Sequence, residues 1–255
     1  MKLLSVEEGD PVAVENDAGR SPVILICEHA SRLVPQKLGT LGLSEEALES
    51  HIAWDPGALA VSRLMARSLD ATLIHQRFSR LAYDCNRPPQ SPDAVPETSE
   101  IYPIAGNANL SAELLRERAE ALYFPFRERV AQLIRERVGA GRAPVVVTVH
   151  SFTPVYHGRV RTVEIGILYD EDSRLADLMM SAGEEAALYD IRRNEPYGPA
   201  DGVTHTLKEH ALSNGLLNVM IEVRNDLIRD DIGQRVVADY LTGLLLSSIP
   251  ALSQR

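Results

Sequence analysis

The chain reads as an α/β protein with a central, mostly parallel sheet covered on both faces, and three features of its 255 residues predict this. Pro22-Val-Ile-Leu-Ile-Cys-Glu-His29 and Pro144-Val-Val-Val-Thr-Val-His150 have the unbroken apolarity of strands buried on two sides. Segments with helical apolar spacing separate such runs, and strands alternating with helices join into parallel sheets through right-handed crossovers. The composition, 45% hydrophobic and 5% aromatic, is enough for one substantial core. A single domain over residues 1–255 is expected, with a polar leader at 1–21.

The elements follow in order. Residues 22–28 form the first strand. Ser44-Glu45-Glu46 is an N-cap followed by acids, which favour a helix N-terminus. Apolar residues at 61, 64, 65 and 69 line one helical face, and Ala71-Thr-Leu-Ile-His75 is a second strand. Residues 86–109 carry five prolines among Ser, Asn, Gly and Asp, so they form a long loop of the kind often kept for function. Helical spacing from 111 to 138 predicts one long helix, kinked near Pro125 and stopped by Gly139-Ala-Gly141. The strand ending in His150 comes next. A strand at 163–169, a helix at 173–188, a strand at 215–224 and an amphipathic helix at 230–248 complete the pattern.

The net charge of −10 and pI near 5.2 argue against a nucleic-acid surface, which needs clustered Lys and Arg. No apolar stretch is long enough to span a bilayer, and the N-terminal residues lack the apolar run of a signal peptide, so a cytoplasmic location is expected. Two cysteines, Cys27 and Cys85, make neither a disulfide framework nor a thiolate metal cluster and read as core thiols.

In open α/β sheets functional groups collect beyond the carboxyl ends of the strands, where this sequence places His29, His150 and Glu222. Catalytic zinc commonly takes three protein ligands from His and carboxylate. Asp55, at an Asp-Pro-Gly turn just before a helix, is the candidate third ligand, with Glu28 and His51 as rivals. Each also has a plainer reading: a histidine at a strand end is often just a hydrogen-bonded boundary residue, and Asp before Pro-Gly is often a cap. Glu222 is harder to read as structural, because an unpaired carboxylate in a buried strand is expensive; Arg224, two residues on, is its expected partner. Arg77, Arg80 and Arg87 lead into the proline-rich loop and offer the fork geometry that carboxylate substrates need. His205 is a candidate substrate-side hydrogen bonder. His210 reads as a cap or surface residue, and His51, His75 and His157 as mainly structural.

Taken together, Cys-Glu-His29-Ala-Ser, His51-Ile-Ala-Trp-Asp55-Pro-Gly-Ala, Phe-Ser-Arg80-Leu-Ala-Tyr-Asp-Cys-Asn86-Arg87, Val-His150-Ser-Phe-Thr-Pro, Asp201-Gly-Val-Thr-His205-Thr and Ile-Glu222-Val-Arg224-Asn-Asp resemble the N-formylglutamate amidohydrolases over roughly residues 22–245. These are zinc hydrolases of the carboxypeptidase and aspartoacylase fold group. The resemblance implies a three-layer α/β sandwich with a mostly parallel, mixed sheet, phosphorylase/hydrolase-like and of the zinc-exopeptidase type. It implies one Zn²⁺ per chain held by His29, Asp55 and His150, with Glu222 as general base and Arg80 polarising the scissile carbonyl. It implies substrate binding by Asn86 and Arg87, with Arg224 and His205 as further candidates. The position three after His29 is Arg32, so the compact His-x-x-Glu pair of carboxypeptidases is missing and the carboxylate ligand stays open between Asp55 and Glu28.

The activity so implied is hydrolysis of a linear amide C–N bond in an N-formyl or N-acyl amino acid such as N-formylglutamate, a small acidic molecule, to a carboxylate and the free amino acid. Two other readings stand beside it: a zinc amidase or carboxypeptidase acting on peptide or cell-wall fragments, and an inactive relative that only binds a small molecule. Oligomeric state is not legible.

Overall fold

The first strand lies inside the expected leader. The structure, a computed structural model, describes residues 2–253, and β1 (Val12–Glu15) pairs antiparallel with β3 (Thr72–Gln76). Four half-buried residues in a polar context carry too short a pattern to stand out, and pairing with a fully buried neighbour supplies what propensity lacks.

The central sheet has seven strands. β2 (Val23–Cys27) pairs parallel with β3 on one side and with β6 (Val145–Phe152) on the other, and β6 pairs parallel with β11 (Asn218–Arg224). Beyond β11 the direction reverses: β9 (Ile165–Leu168) runs antiparallel to it, and β10 (Ile191–Arg193), not foreseen from the sequence, runs parallel to β9. The order β1-β3-β2-β6-β11-β9-β10 is therefore mixed, with a parallel centre. Two small hairpins lie outside it, β4 (Thr98–Ser99) with β5 (Tyr102–Pro103) and β7 (Val155–Tyr156) with β8 (Arg159–Val160).

Each core strand supplies side chains to two layers. Val23, Leu25 and Cys27 of β2 pack into one apolar core with α2 (Ala58–Leu69), α5 (Arg174–Ala186) and α6 (Asp231–Ser253). Ile24 and Ile26 join the opposite core with Leu122, Phe126, Val130 and Leu133. Burying one such aliphatic side chain is worth about 1.5–3 kcal/mol, which is why runs apolar at every position become central strands. A third, smaller core of Leu41, Ala47, Ile52, Ala53, Leu81 and Ile104, beside α1 (Glu45–Glu49), supports the loops.

The helix expected over 111–138 is divided. α3 (Ala112–Arg118) passes through a wide π-turn at Ala119–Tyr123 into α4 (Phe124–Gly139). Pro125 has no N–H to return to the preceding turn, and the backbone widens there to keep its other hydrogen bonds. Among the described residues no helix is long and apolar enough to cross a membrane.

Candidate metal centre and active-site cleft

Strand register brings the polar residues together. Glu222 of β11 lies directly opposite His150 of β6 in a parallel pair, so both side chains project from the same face. His29 follows the end of β2 on the neighbouring side of β6. Asp55 enters from the loop before α2, where its N–H donates to the carbonyl of His29 at 2.9 Å. Gly57, the N-cap of α2, makes this approach possible. Its φ is +82°, and a Cβ there would lie 2.5 Å from the Ile228 carbonyl oxygen.

Both imidazoles turn Nδ1 toward one carboxylate oxygen. Asp55 Oδ2 is 3.2 Å from His29 Nδ1 and 2.9 Å from His150 Nδ1, and the two nitrogens are 3.2 Å apart. One donor atom from each of the three residues falls within 4.8 Å of the others, and all three side chains are buried. The outer nitrogens face other carboxylates: His29 Nε2 is 2.8 Å from Asp84 Oδ1, and His150 Nε2 is 3.1 Å from Glu28 Oε2. A carboxylate behind a histidine selects the tautomer whose inner nitrogen is a free lone pair, the arrangement that metal-ligating histidines use. Glu28 thus stands behind His150 and outside the inner cluster.

The charge count points the same way. Glu28, Asp55, Asp84 and Glu222 are each 4% exposed or less, and among the described residues the guanidinium that meets them is that of Arg80. Its Nη1 reaches Asp55 Oδ1 at 3.4 Å and its Nη2 Asp84 Oδ2 at 3.0 Å. With neutral imidazoles, Glu28, Asp55 and Asp84 face one positive charge and Glu222 adds a fourth carboxyl group, a buried acidic surplus that a bound cation would offset. Neither Glu28 oxygen has a hydrogen bond of good geometry, and Glu222 Oε2 has none. The residues present fit a divalent cation held by two nitrogens and one carboxylate, the donor set of zinc.

The carboxylates are driven apart in acidity. Burial works to raise the pKa of Asp84, yet Arg80, and His29 whenever it is protonated, hold it well below the ordinary range. Glu222 is pushed up to about 7, chiefly by burial, with Asp55 adding to the effect and His150 opposing it. A carboxyl group so placed is poised for proton transfer near neutral pH.

His29, Asp55, Arg80, His150 and Glu222 line a cleft of about 340 Å³ with Asn86, Arg87, Tyr156, Tyr197 and Met220 among its walls. A larger, more apolar cavity of about 530 Å³ between the proline-rich segment and α3 contains none of the cluster residues. Of the residues singled out in the sequence, His29, Asp55, His150, Glu222, Arg80, Asn86 and Arg87 meet at the cleft. His51 also lines it, with Nε2 at 3.1 Å from Glu100 Oε2.

Two expected substrate contacts are not brought there. Arg224 does not pair with Glu222: it is held by Asp226 at 2.8 Å, Glu164 at 3.6 Å and the Thr162 carbonyl at 3.0 Å. Asp226 comes from the turn directly after β11, and Thr162 and Glu164 from the segment leading into β9, so the guanidinium is satisfied away from the cleft. His205 stacks on Tyr123 and shares a 2.9 Å hydrogen bond with its hydroxyl. Asn86 has its amide committed to the loop that follows: Nδ2 donates to the Val203 carbonyl at 2.5 Å, and Oδ1 accepts from Thr206 N–H. His75 lies beside Glu15, and His210 is buried rather than at the surface.

Asp84 and Glu28 carry the support of the cluster, and neither is assigned that role by sequence reasoning. Asp84 had a readable signal, four residues after Arg80 in one run. Tyr156, Tyr197 and Arg161 had none, because they come from short segments without a pattern. Arg161 lies against two of the cleft's wall residues, its guanidinium carbon 4.4 Å from the centre of the Tyr156 ring and 4.7 Å from that of Tyr197. Tyr197, its phenol pushed up to about 12 mainly by burial, lies in the fields of Glu222, Arg161 and Arg80 at once.

No curated protein matches the chain. Among solved structures, gene product Atu2144 from Agrobacterium tumefaciens is 58% identical, with a TM-score of 0.97 over 99% of this chain and 100% of that one. The N-formylglutamate amidohydrolase from Ralstonia eutropha JMP134 is 18% identical, with a TM-score of 0.63 over 92% of this chain and 96% of that one, a likeness of fold. The family model for N-formylglutamate amidohydrolase matches residues 21–229. A matched span that takes in strands β2 to β11, the Asp55 turn and Glu222 leaves one conclusion: the chain belongs to the N-formylglutamate amidohydrolase family.

Proposed function

We propose that this protein is a metal-dependent amidohydrolase that cleaves an N-formyl amino acid, N-formylglutamate above all, to formate and the free amino acid. The observation that carries this reading is the convergence of His29 Nδ1, His150 Nδ1 and Asp55 Oδ2, with Glu222 in register beside them. His29, Asp55 and His150 would hold the cation, taken as Zn²⁺ from the donor set. Zinc in such a set supplies Lewis acidity, polarising an acyl oxygen and acidifying water.

The chain's own groups do the remaining work. Glu222 removes a proton from the attacking water as its oxygen adds to the formyl carbon. It then returns that proton to the nitrogen as the C–N bond breaks, so the amino acid leaves as a neutral amine. Arg80, its side chain 30% exposed toward the cleft and fixed by Asp55 and Asp84, offsets charge developing on the formyl oxygen. Arg87 is held at Nη1 by the Gly202 and Asn86 carbonyls, which leaves its other donors to grip the α-carboxylate and set the amide in register. Asn86 acts as a positioning residue by fixing the 203–206 loop behind Arg87.

A cleft of about 340 Å³ suits a small acyl amino acid better than a peptide or wall fragment. The test is metal analysis of the purified protein beside formate release from N-formyl-L-glutamate, before and after chelation. One equivalent of zinc, activity lost with chelator and regained with Zn²⁺ is the expected result. Full activity in metal-free protein would overturn the reading.

A further inference from the structure

The hairpin formed by β7 and β8 overhangs the cleft. His157 and Gly158 both have positive φ, 47° and 73°, the backbone of a two-residue type I′ turn, which sets Tyr156 directly opposite Arg159. The hairpin is tied to the segment between β4 and β5 by the His157 N–H, which donates to Glu100 Oε1 at 2.9 Å. Behind Tyr156 the cleft wall continues into a second groove of about 340 Å³, lined by Arg159, Arg161 and Arg192 among others. Tyr156 lines both spaces.

The three arginines differ in their partners. Arg192 is neutralised by Asp190 at 2.7 Å and Glu195 at 3.1 Å. Arg159 and Arg161 have no carboxylate within ion-pair distance among the described residues, in a chain whose net charge is −10. Arg161 is half-buried between two tyrosine rings, with Phe152 5.6 Å away, so the plane of its fork is fixed before anything binds. A stacked, unneutralised guanidinium is a preorganised receptor for a carboxylate, because little freedom remains to be lost on binding.

We propose that Arg161, assisted by Arg159, forms an anion site in the groove adjoining the cleft at Tyr156, and that this site takes the distal carboxylate of an acidic acyl amino acid. This rests on the amidohydrolase reading and names the feature that selects acidic substrates for that site. With the α-carboxylate at Arg87 and the amide at the histidine cluster, the second carboxylate would lie on the hairpin side, where Arg161 packs against Tyr156 and Tyr197 of the cleft wall. An uncharged analogue leaves the pair without its counter-charge, so the discrimination acts mainly through binding.

The experiment compares N-formyl-L-glutamate with N-formyl-L-glutamine, which differ by one charge at nearly constant shape, on the metal-loaded full chain and its Arg161→Met and Arg159→Met variants. In Arg161→Met the KM for the glutamate substrate should rise at least tenfold, kcat should stay within threefold, and kcat/KM for the glutamine substrate should fall less than threefold. Arg159→Met, at an exposed hairpin position, should raise the glutamate KM severalfold. Arg161→Lys should recover part of the preference. Equal losses on both substrates would mean that the stack only supports the hairpin, and unchanged constants would mean that the arginines contact nothing; either overturns the proposal. Calorimetry with L-glutamate and L-glutamine reads the anion site separately. If wild-type protein hydrolyses neither substrate, the amidohydrolase reading fails, while preferential glutamate binding lost in Arg161→Met still supports the site and equal binding removes it.

Discussion

Glu222 and His150 face each other across β6 and β11 in direct parallel register, one carboxyl group and one imidazole delivered to the same side of the sheet by adjacent strands. Their separation is set by backbone hydrogen bonding rather than by a flexible loop, so the carboxyl group proposed as proton acceptor is held beside the proposed metal ligands with little freedom to drift.

Glu222→Gln should therefore keep the fold and the metal while losing the proton acceptor. The side chains have nearly the same shape, and the substitution removes a buried charge rather than creating one. Turnover of N-formyl-L-glutamate is expected to drop about 10²–10⁴-fold, the usual contribution of a general base, with zinc stoichiometry unchanged. Near-normal kcat would remove Glu222 from the mechanism.

Asp84→Asn and Glu28→Gln test the outer supports. Each swaps a charged partner of an Nε2–H for a weaker acceptor without touching the inner cluster. Zinc affinity, read by competition with a chromogenic chelator, should weaken by about 10–100-fold in each, as loss of a carboxylate behind a metal-bound histidine commonly does. Wild-type affinity in both would show that the histidines need no such support.

Gly57→Ala strains the turn that presents Asp55. The left-handed backbone and the Ile228 carbonyl oxygen, 2.5 Å from where the added methyl carbon would sit, act together, so a loss of about 2–4 kcal/mol in unfolding free energy is expected, strain and overpacking combined. Zinc affinity should fall with it, since Asp55 moves with the turn. Denaturant titration of the metal-free protein separates the two effects; an unchanged midpoint would contradict this packing of the turn against Ile228.

His210 controls part of the acid limb of stability. Burial favours its neutral form, outweighing Glu209 and aided by Arg127 and His205, and its pKa is pushed down to about 4 from 6.5. Between those values the unfolded chain binds a proton that the folded chain refuses. Stability is thus unaffected above pH 6.5, falls as the pH drops below it and levels off near 4, a loss of about 3 kcal/mol. His210→Gln should flatten this limb when thermal unfolding is followed from about pH 7.5 to about 4.5; an equally steep fall in the variant would place the proton uptake elsewhere.

Much of the architecture is legible in the sequence. The runs 22–28 and 144–150 can be buried on both faces only as central strands, and their polar ends had to emerge together at one sheet edge. β1 and β10 escape notice because a strand of three or four half-buried residues is recognisable only through the partner it pairs with. The expected helix over 111–138 is present but divided, since Pro125 removes one hydrogen bond and the wide turn absorbs the loss.

The site divides along the same line. Apolar periodicity is a local property, and by itself it determined the layered α/β fold and the placing of His29, His150 and Glu222 at strand ends. The tertiary structure alone decided that Nδ1 of each histidine faces Asp55 while Asp84 and Glu28 stand behind, that Arg224 and His205 are held by other partners, and that Arg161 is wedged between two tyrosines with no carboxylate of its own. Those relations join segments far apart in the chain, and only strand register and loop packing set the distances over which charges and hydrogen bonds act.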